Sequence, residues 1–180
     1  SIQTEFMERD YCIITLFLNC GMRLSELVGI NLTDFKEETI RIVGKGNKER
    51  TVYLTEACQA AIEPYLAARA ALTNLKDHNA MFVSKRTGKR LTARRVEQIV
   101  AECLAQAGLA GKGYSPHKLR HTAATLMLQN GVDVRTLQEV LGHEHLNTTQ
   151  IYTHVDNENL RTAAKANPLG RLKPKERKGE

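Results

Sequence analysis

The chain has 180 residues, enough for one domain with a sizeable core; 42% of them are hydrophobic, none is Trp, and the formal net charge is +6. A basic balance favours a polyanionic partner, either nucleic acid or an anionic membrane surface. No run approaches the ~18 uninterrupted apolar residues of a spanning helix, and the acidic, mixed first stretch does not read as a signal peptide.

Residues 8–20 read as a helix, with Tyr11, Ile14, Leu16, Phe17 and Leu18 as its apolar face and Gly21 as its stop. Residues 24–29 form a second, short helix that starts at Arg23. Ile40 to Val43 and Thr51 to Leu54 are β-branched runs joined by a basic, Gly-containing turn, which is a hairpin signal. Thr55 is placed to cap an Ala-rich helix that reaches about Leu72. A polar loop from Thr73 to Asn79 leads into Ala80-Met81-Phe82-Val83, a third short strand by composition.

Thr92 caps the next helix, which Gly108 closes, and Gly111-Lys112-Gly113 is a linker. Ser115-Pro116 opens a helix running to Asn130-Gly131, since Pro is tolerated at the first helical position. Asp133 caps another that ends at Gly142. Asn147 begins a short helix bearing Tyr152, Asp156 begins one more, and residues 169–180 form a basic, mobile tail. The fold class is mainly α with a small antiparallel β-sheet, or α+β.

Cys12, Cys20, Cys58 and Cys103 are scattered, without a Cys-x-x-Cys pair. They read as buried, reduced thiols of a cytoplasmic protein.

Four runs carry chemistry. They are Gly21-Met22-Arg23-Leu24-Ser25-Glu26-Leu27, Gly44-Lys45-Gly46-Asn47-Lys48-Glu49-Arg50, Ser115-Pro116-His117-Lys118-Leu119-Arg120-His121 and Leu141-Gly142-His143-Glu144-His145, with Tyr152 nine residues after His143. Together they can supply a phenol, two guanidiniums, an ammonium and two imidazoles, which is an inventory for attacking a phosphodiester without a metal. The set resembles the catalytic residues of the tyrosine recombinases, or phage integrase family, above all its Xer-like branch. The resemblance runs from about Asp10 to Leu160, in the family's order and close to its spacings.

The resemblance implies the recombinase catalytic-domain fold over residues 1–168, with a separate N-terminal DNA-clamping domain expected outside this chain. It makes Tyr152 the nucleophile, whose product, a 3′-phosphotyrosine, keeps the energy of the broken bond so that rejoining needs no ATP. Arg23 and Arg120 would stabilise charge on the non-bridging oxygens, a task suited to permanently charged, two-pronged guanidiniums. His117 shares a helix face with Arg120, three residues on. His143 would bond the scissile phosphate or assist Tyr152. The Lys of the first Gly-Lys-Gly, Lys45, aligns with the general acid that protonates the leaving 5′-oxygen, with Lys48 as the second candidate.

Further DNA contacts are expected from Lys48, Arg50, Lys85, Arg86, Lys89, Arg90, Arg94 and Arg95. The expected partners are double-stranded DNA and, on that DNA, further copies of the protein, a tetramer in the full-length form. No cofactor, no metal and no membrane are implied. The expected setting is the cytoplasm of a bacterium, with the protein encoded by the bacterium, a phage or a mobile element.

Plainer readings stand beside these. Arg23 is a surface residue paired with Glu26 at i+3, and the lysines of the hairpin are a solvated tip. His117 and His121 have helical zinc spacing, but Lys118 stands where a His-Glu-x-x-His site needs Glu. His143 and His145 lack a clear third ligand. Three other functions compete: a non-catalytic regulator, because the helices at 116–130 and 133–141 resemble a helix-turn-helix, a relaxing topoisomerase of the related tyrosine type and, least of the three, a metal phosphoesterase.

Overall fold

The structure, a computed structural model, describes residues 5–106, 118, 119 and 121. The helices expected at 116–130 and 133–141, the segment bearing Tyr152, the closing Gly108 and the tail at 169–180 all lie outside the described residues, apart from Lys118, Leu119 and His121.

Helix α1 spans Met7–Cys20. Its buried apolar face is Cys12, Ile13, Leu16, Phe17 and Cys20, at the three- and four-residue steps of a helix. Tyr11, expected on that face, is exposed instead. Gly21 ends the helix in the left-handed region (φ 58°) and donates its N–H to the Phe17 carbonyl, a turn that only a residue without Cβ enters freely. The chain then extends through Arg23 into α2, Leu24–Gly29.

Three antiparallel strands follow in the order β1 (Phe35–Lys36), β2 (Thr39–Val43), β3 (Glu49–Tyr53). The β2–β3 register places Ile42 opposite Arg50 and Val43 opposite Glu49. Ile40, Ile42 and Val52 face the core. Thr55 caps α3, Glu56–Ala70, by accepting the Cys58 N–H. Helix α4, Ala93–Gln106, starts at Thr92, whose Oγ1 accepts the Arg95 N–H, and it buries Val96, Ile99, Val100 and Cys103.

The third strand is therefore Phe35–Lys36, not Ala80–Val83. Residues 80–83 are buried, but they pair as isolated bridges, Ala80 with Asn31 and Val83 with Arg90. Side chains take up much of their remaining backbone. The Tyr65 hydroxyl donates to the Met81 carbonyl (2.7 Å) and accepts the Val83 N–H (3.2 Å). The Arg69 guanidinium donates to the Ala80 carbonyl at 2.8 and 3.1 Å.

Tyr65 is the centre of this packing. Its ring stacks on Phe82 (5.4 Å between centroids) and meets the edge of Phe6 at 5.5 Å. Burial pushes its hydroxyl up to about 12. Because the folded value is raised, the associated stability is present below the ordinary tyrosine range and is lost as pH rises through about 12. Tyr65→Phe should lower unfolding stability by about 1–3 kcal/mol in urea titration, since it leaves the Met81 carbonyl and Val83 N–H without their partner. In alkaline ultraviolet titration it should not reduce the tyrosine step near pH ~10.

All four cysteines are buried, as expected. Burial pushes the Cys12 thiol well up and Cys103 to about 11. Both are held away from the thiolate form that a nucleophile or metal ligand requires.

Candidate active site and nucleic-acid face

Arg23 occupies the junction between the α1 stop and the α2 start, in extended backbone. Its N–H donates to Glu26 Oε1 at 2.8 Å, which closes the first turn of α2. Its half-buried side chain makes no hydrogen bond or ion pair among the described residues. Glu26 does not take the Arg23 guanidinium, contrary to the plainer expectation. The Glu26 carboxylate pairs with Arg50 on β3, whose Nη1 meets Oε2 and whose Nη2 meets Oε1 at 3.2 Å.

The β2–β3 connection is a tight turn. Gly44 N–H donates to the Lys48 carbonyl at 2.7 Å, and the chain reverses through Lys45–Asn47 with Gly46 (φ 71°) and Asn47 (φ 58°) in the left-handed region. Lys45 and Lys48 are both exposed and make no side-chain bond among the described residues. The hairpin meets α2 through the Glu26–Arg50 pair, so the structure brings the Arg23 helix and the Lys45 turn onto one framework.

The basic run of residues 85–95 divides in two. Arg90 points inward: it donates to the Val28 carbonyl (2.8 Å), the Ile30 carbonyl (3.1 Å) and Asn31 Oδ1, and it lies 3.7 Å from Asp77. A cation at the last carbonyls of α2 also suits the negative end of the helix dipole. Arg95 reaches along its own helix to Gln98 and Glu102. Lys85 bonds the Glu5 carbonyl and lies 5.9 Å from the centre of the Phe6 ring. Arg86, Lys89 and Arg94 are exposed, without side-chain partners among the described residues.

Arg86 and Lys89 sit on a firmly built turn. Ser84 and Gly88 are joined by a backbone bond of 2.8 Å, and Ser84 N–H reaches the Lys89 carbonyl at 2.8 Å. Asn74 Nδ2 clamps the carbonyls of Lys85 and Arg86 at 2.9 and 3.1 Å. Gly88 has φ 71°, and a Cβ there would stand 2.0 Å from the Asn74 carbonyl oxygen. Gly88→Ala should therefore cost more than about 2 kcal/mol in denaturant unfolding and weaken DNA binding together with stability.

His117, Arg120, His143 and Tyr152 lie outside the described residues. Beside the first two, Leu119 is buried in the main core cluster, while Lys118 and His121 are exposed. Sequence reasoning missed the role of Glu26 as the bridge between α2 and the hairpin. The available signal was its position as the third residue of α2, the place from which an acidic side chain turns back to the residue before the helix.

Residues 2–159 match the model of the phage integrase family. The chain is 58% identical over 170 residues to "Tyrosine recombinase XerC" of Caldanaerobacter subterraneus subsp. tengcongensis, covering 94% of this chain and 48% of that protein. It is 44% identical over 169 residues to the protein of the same name in Corynebacterium glutamicum, covering 92% of this chain and 53% of the other. The chain thus spans about half the length of the curated relatives it matches.

Among solved structures, XerA recombinase superposes with a TM-score of 0.70 at 36% identity, over 88% of this chain and 57% of that one. XerH site-specific recombinase, in a pre-cleavage complex with its difH substrate, gives 0.69 at 32% identity, over 91% and 48%. The mainly helical fold with its small antiparallel sheet is that of these recombinases. With its Arg23 junction, its Lys45 hairpin and this breadth of similarity to Xer-type tyrosine recombinases, the chain belongs to the phage integrase family.

Proposed function

We propose that this chain cuts and rejoins DNA in site-specific recombination, through a 3′-phosphotyrosine intermediate. The observation that carries the reading is the shared framework of α2 and the hairpin, which holds Arg23 to the turn bearing Lys45, two cations whose side chains have no partner among the described residues. The resemblance of the sequence motifs supports His117, Arg120, His143 and Tyr152 as the rest of the constellation.

In this reading Tyr152 Oη attacks the scissile phosphorus as a phenolate, favoured by the surrounding cations. Arg23 and Arg120 hold the two non-bridging oxygens, on which charge grows. His117 precedes Arg120 by three residues, and His143 donates a hydrogen bond to the phosphate. The P–O5′ bond breaks, and the departing 5′-oxygen takes a proton from Lys45. Attack by a different 5′-hydroxyl reverses these steps and releases Tyr152, so bond energy is conserved and no cofactor is consumed. Residues 1–168 would form the catalytic unit. Double-stranded DNA is the substrate, four copies act together on it, and the setting is the bacterial cytoplasm; among the described residues no helix is long and apolar enough to cross a membrane.

The test is covalent capture on nicked duplex DNA made from the source genome, in which loss of a short 5′-fragment prevents rejoining. Denaturant-resistant protein–DNA adducts should accumulate, and sequencing the attached strand should return one recurring site. Specific binding without an adduct would favour the non-catalytic regulator. Adducts scattered over many sequences, with relaxation of supercoils and no strand exchange, would favour a topoisomerase.

Noncovalent binding should be weak and steeply salt-dependent. With four to six phosphate contacts, affinity should fall roughly 10²–10³-fold between about 50 and 200 mM salt. By fluorescence anisotropy, Arg86→Gln should lower the salt slope by about one unit, whereas Arg90→Gln should leave the slope and lower the thermal midpoint. Binding that ignores salt would contradict the phosphate-contact reading.

A further inference from the structure

The Glu26 carboxylate bonds two pieces of the fold and lies close to a third. Oε1 accepts the Arg23 N–H at 2.8 Å and Arg50 Nη2 at 3.2 Å. Oε2 accepts Arg50 Nη1 and stands 3.0 Å from where a methyl on Gly44 would sit, immediately before Lys45. The side chain of Glu26 is 1% exposed and that of Arg50 9%. Charges this far from water remain paired only where the geometry is good, and a two-pronged guanidinium–carboxylate contact provides it. Arg50 itself sits opposite Ile42, two residues before Gly44 on the facing strand.

We infer that Arg50 is a positioning residue for Lys45: by pinning Glu26 against Gly44 it sets where the hairpin tip stands relative to Arg23, and it is not a DNA contact. The inference rests on the proposed recombinase reading, in which Arg23 and Lys45 serve the same phosphate. Its physical content is that the guanidinium is consumed inside the fold. Both of its end nitrogens bond Glu26, and little of its surface meets solvent, so the phosphate contact that its charge suggested in the sequence is replaced by a structural one. A Lys at this position would keep the charge but offer a single point of attachment, and the hairpin would gain freedom about that point.

The experiment compares the wild-type protein, Lys45→Ala and Arg50→Lys on two nicked duplexes of the captured site. The duplexes differ only in whether oxygen or sulfur bridges to the 5′-carbon of the leaving strand. Sulfur departs without a proton, so it bypasses the general acid. Arg50→Lys should form adduct about tenfold or more slowly on the oxygen duplex and near the wild-type rate on the sulfur duplex. Its binding salt slope should be unchanged. Equal slowing on both duplexes, no slowing on either, or a salt slope lower by about one would each overturn the positioning role.

If Arg50→Lys does not fold, Gly44→Ala takes its place, because it leaves both charges in place and presses a methyl on Glu26 Oε2. Oxygen-specific slowing there supports the inference, and its absence overturns it. Failure of the wild-type protein to form an adduct, or of sulfur to rescue Lys45→Ala, is a separate signature. It shows that the underlying reading is wrong, and the role of Arg50 falls with it.

Discussion

Tyr152→Phe should bind the captured site as the wild-type protein does and form no denaturant-resistant adduct with it. The substitution removes one oxygen and keeps the ring, so the charges that hold the phosphates persist and affinity changes little. Among the cysteines of the described core, burial holds Cys12 and Cys103 away from the thiolate form. The expected loss is total within the range of the assay, with the salt slope unchanged. An adduct formed by the Phe variant would remove Tyr152 from the mechanism and send the search to another hydroxyl.

Lys45→Ala should cut ordinary DNA about 10²–10⁴-fold more slowly, the usual scale for loss of a proton donor, and cut sulfur-bridged DNA almost as fast as wild type. A thiolate leaves without a proton, whereas an alkoxide does not. Arg23→Ala should be slow on both, because stabilising negative charge on the non-bridging oxygens is needed whatever the leaving atom. Lys48→Ala is the internal comparison. Both lysines stand exposed on the same turn, so geometry alone does not separate them. Rescue of Lys48→Ala and not of Lys45→Ala would exchange their roles. Rescue of neither would leave the hairpin as a DNA-positioning device.

Much of the local structure is legible in the sequence because its causes are local. Thr55 and Thr92 announce helix starts, because each side chain accepts an N–H three residues on. Gly21 announces a stop, and the two β-branched runs around Gly44-Lys45-Gly46 announce a hairpin. The errors lie where partners are distant. Ala80 to Val83 has strand composition, but its hydrogen bonds go largely to Tyr65, Arg69 and single residues of other loops, so it joins no ladder. Tyr11 counts as apolar by type, yet it points outward from α1.

The basic residues teach the same lesson about the site. Arg50, Lys48, Arg90 and Lys89 are equivalent by charge, and nothing adjacent in sequence shows that the two arginines turn inward. That direction is fixed by Glu26, 24 residues before Arg50, and by the carbonyls of Val28 and Ile30, some 60 residues before Arg90. The order of the proposed catalytic motifs, in contrast, is a pattern along the chain and involves no distant partner.

Helix α2 has six residues, too few for its own hydrogen bonds to sustain it. Its order is lent by Glu26 and Arg50 at one end and by Arg90 at the other. Amides in such an element exchange with solvent only when the lenders let go. The Leu27 N–H, bonded to the Arg23 carbonyl, should therefore show deuterium protection comparable to that of the α1 core and far above what an isolated turn would give. The backbone carrying Arg23 is thus immobilised before any DNA arrives, and only the rotors of its side chain remain to be stilled at the phosphate.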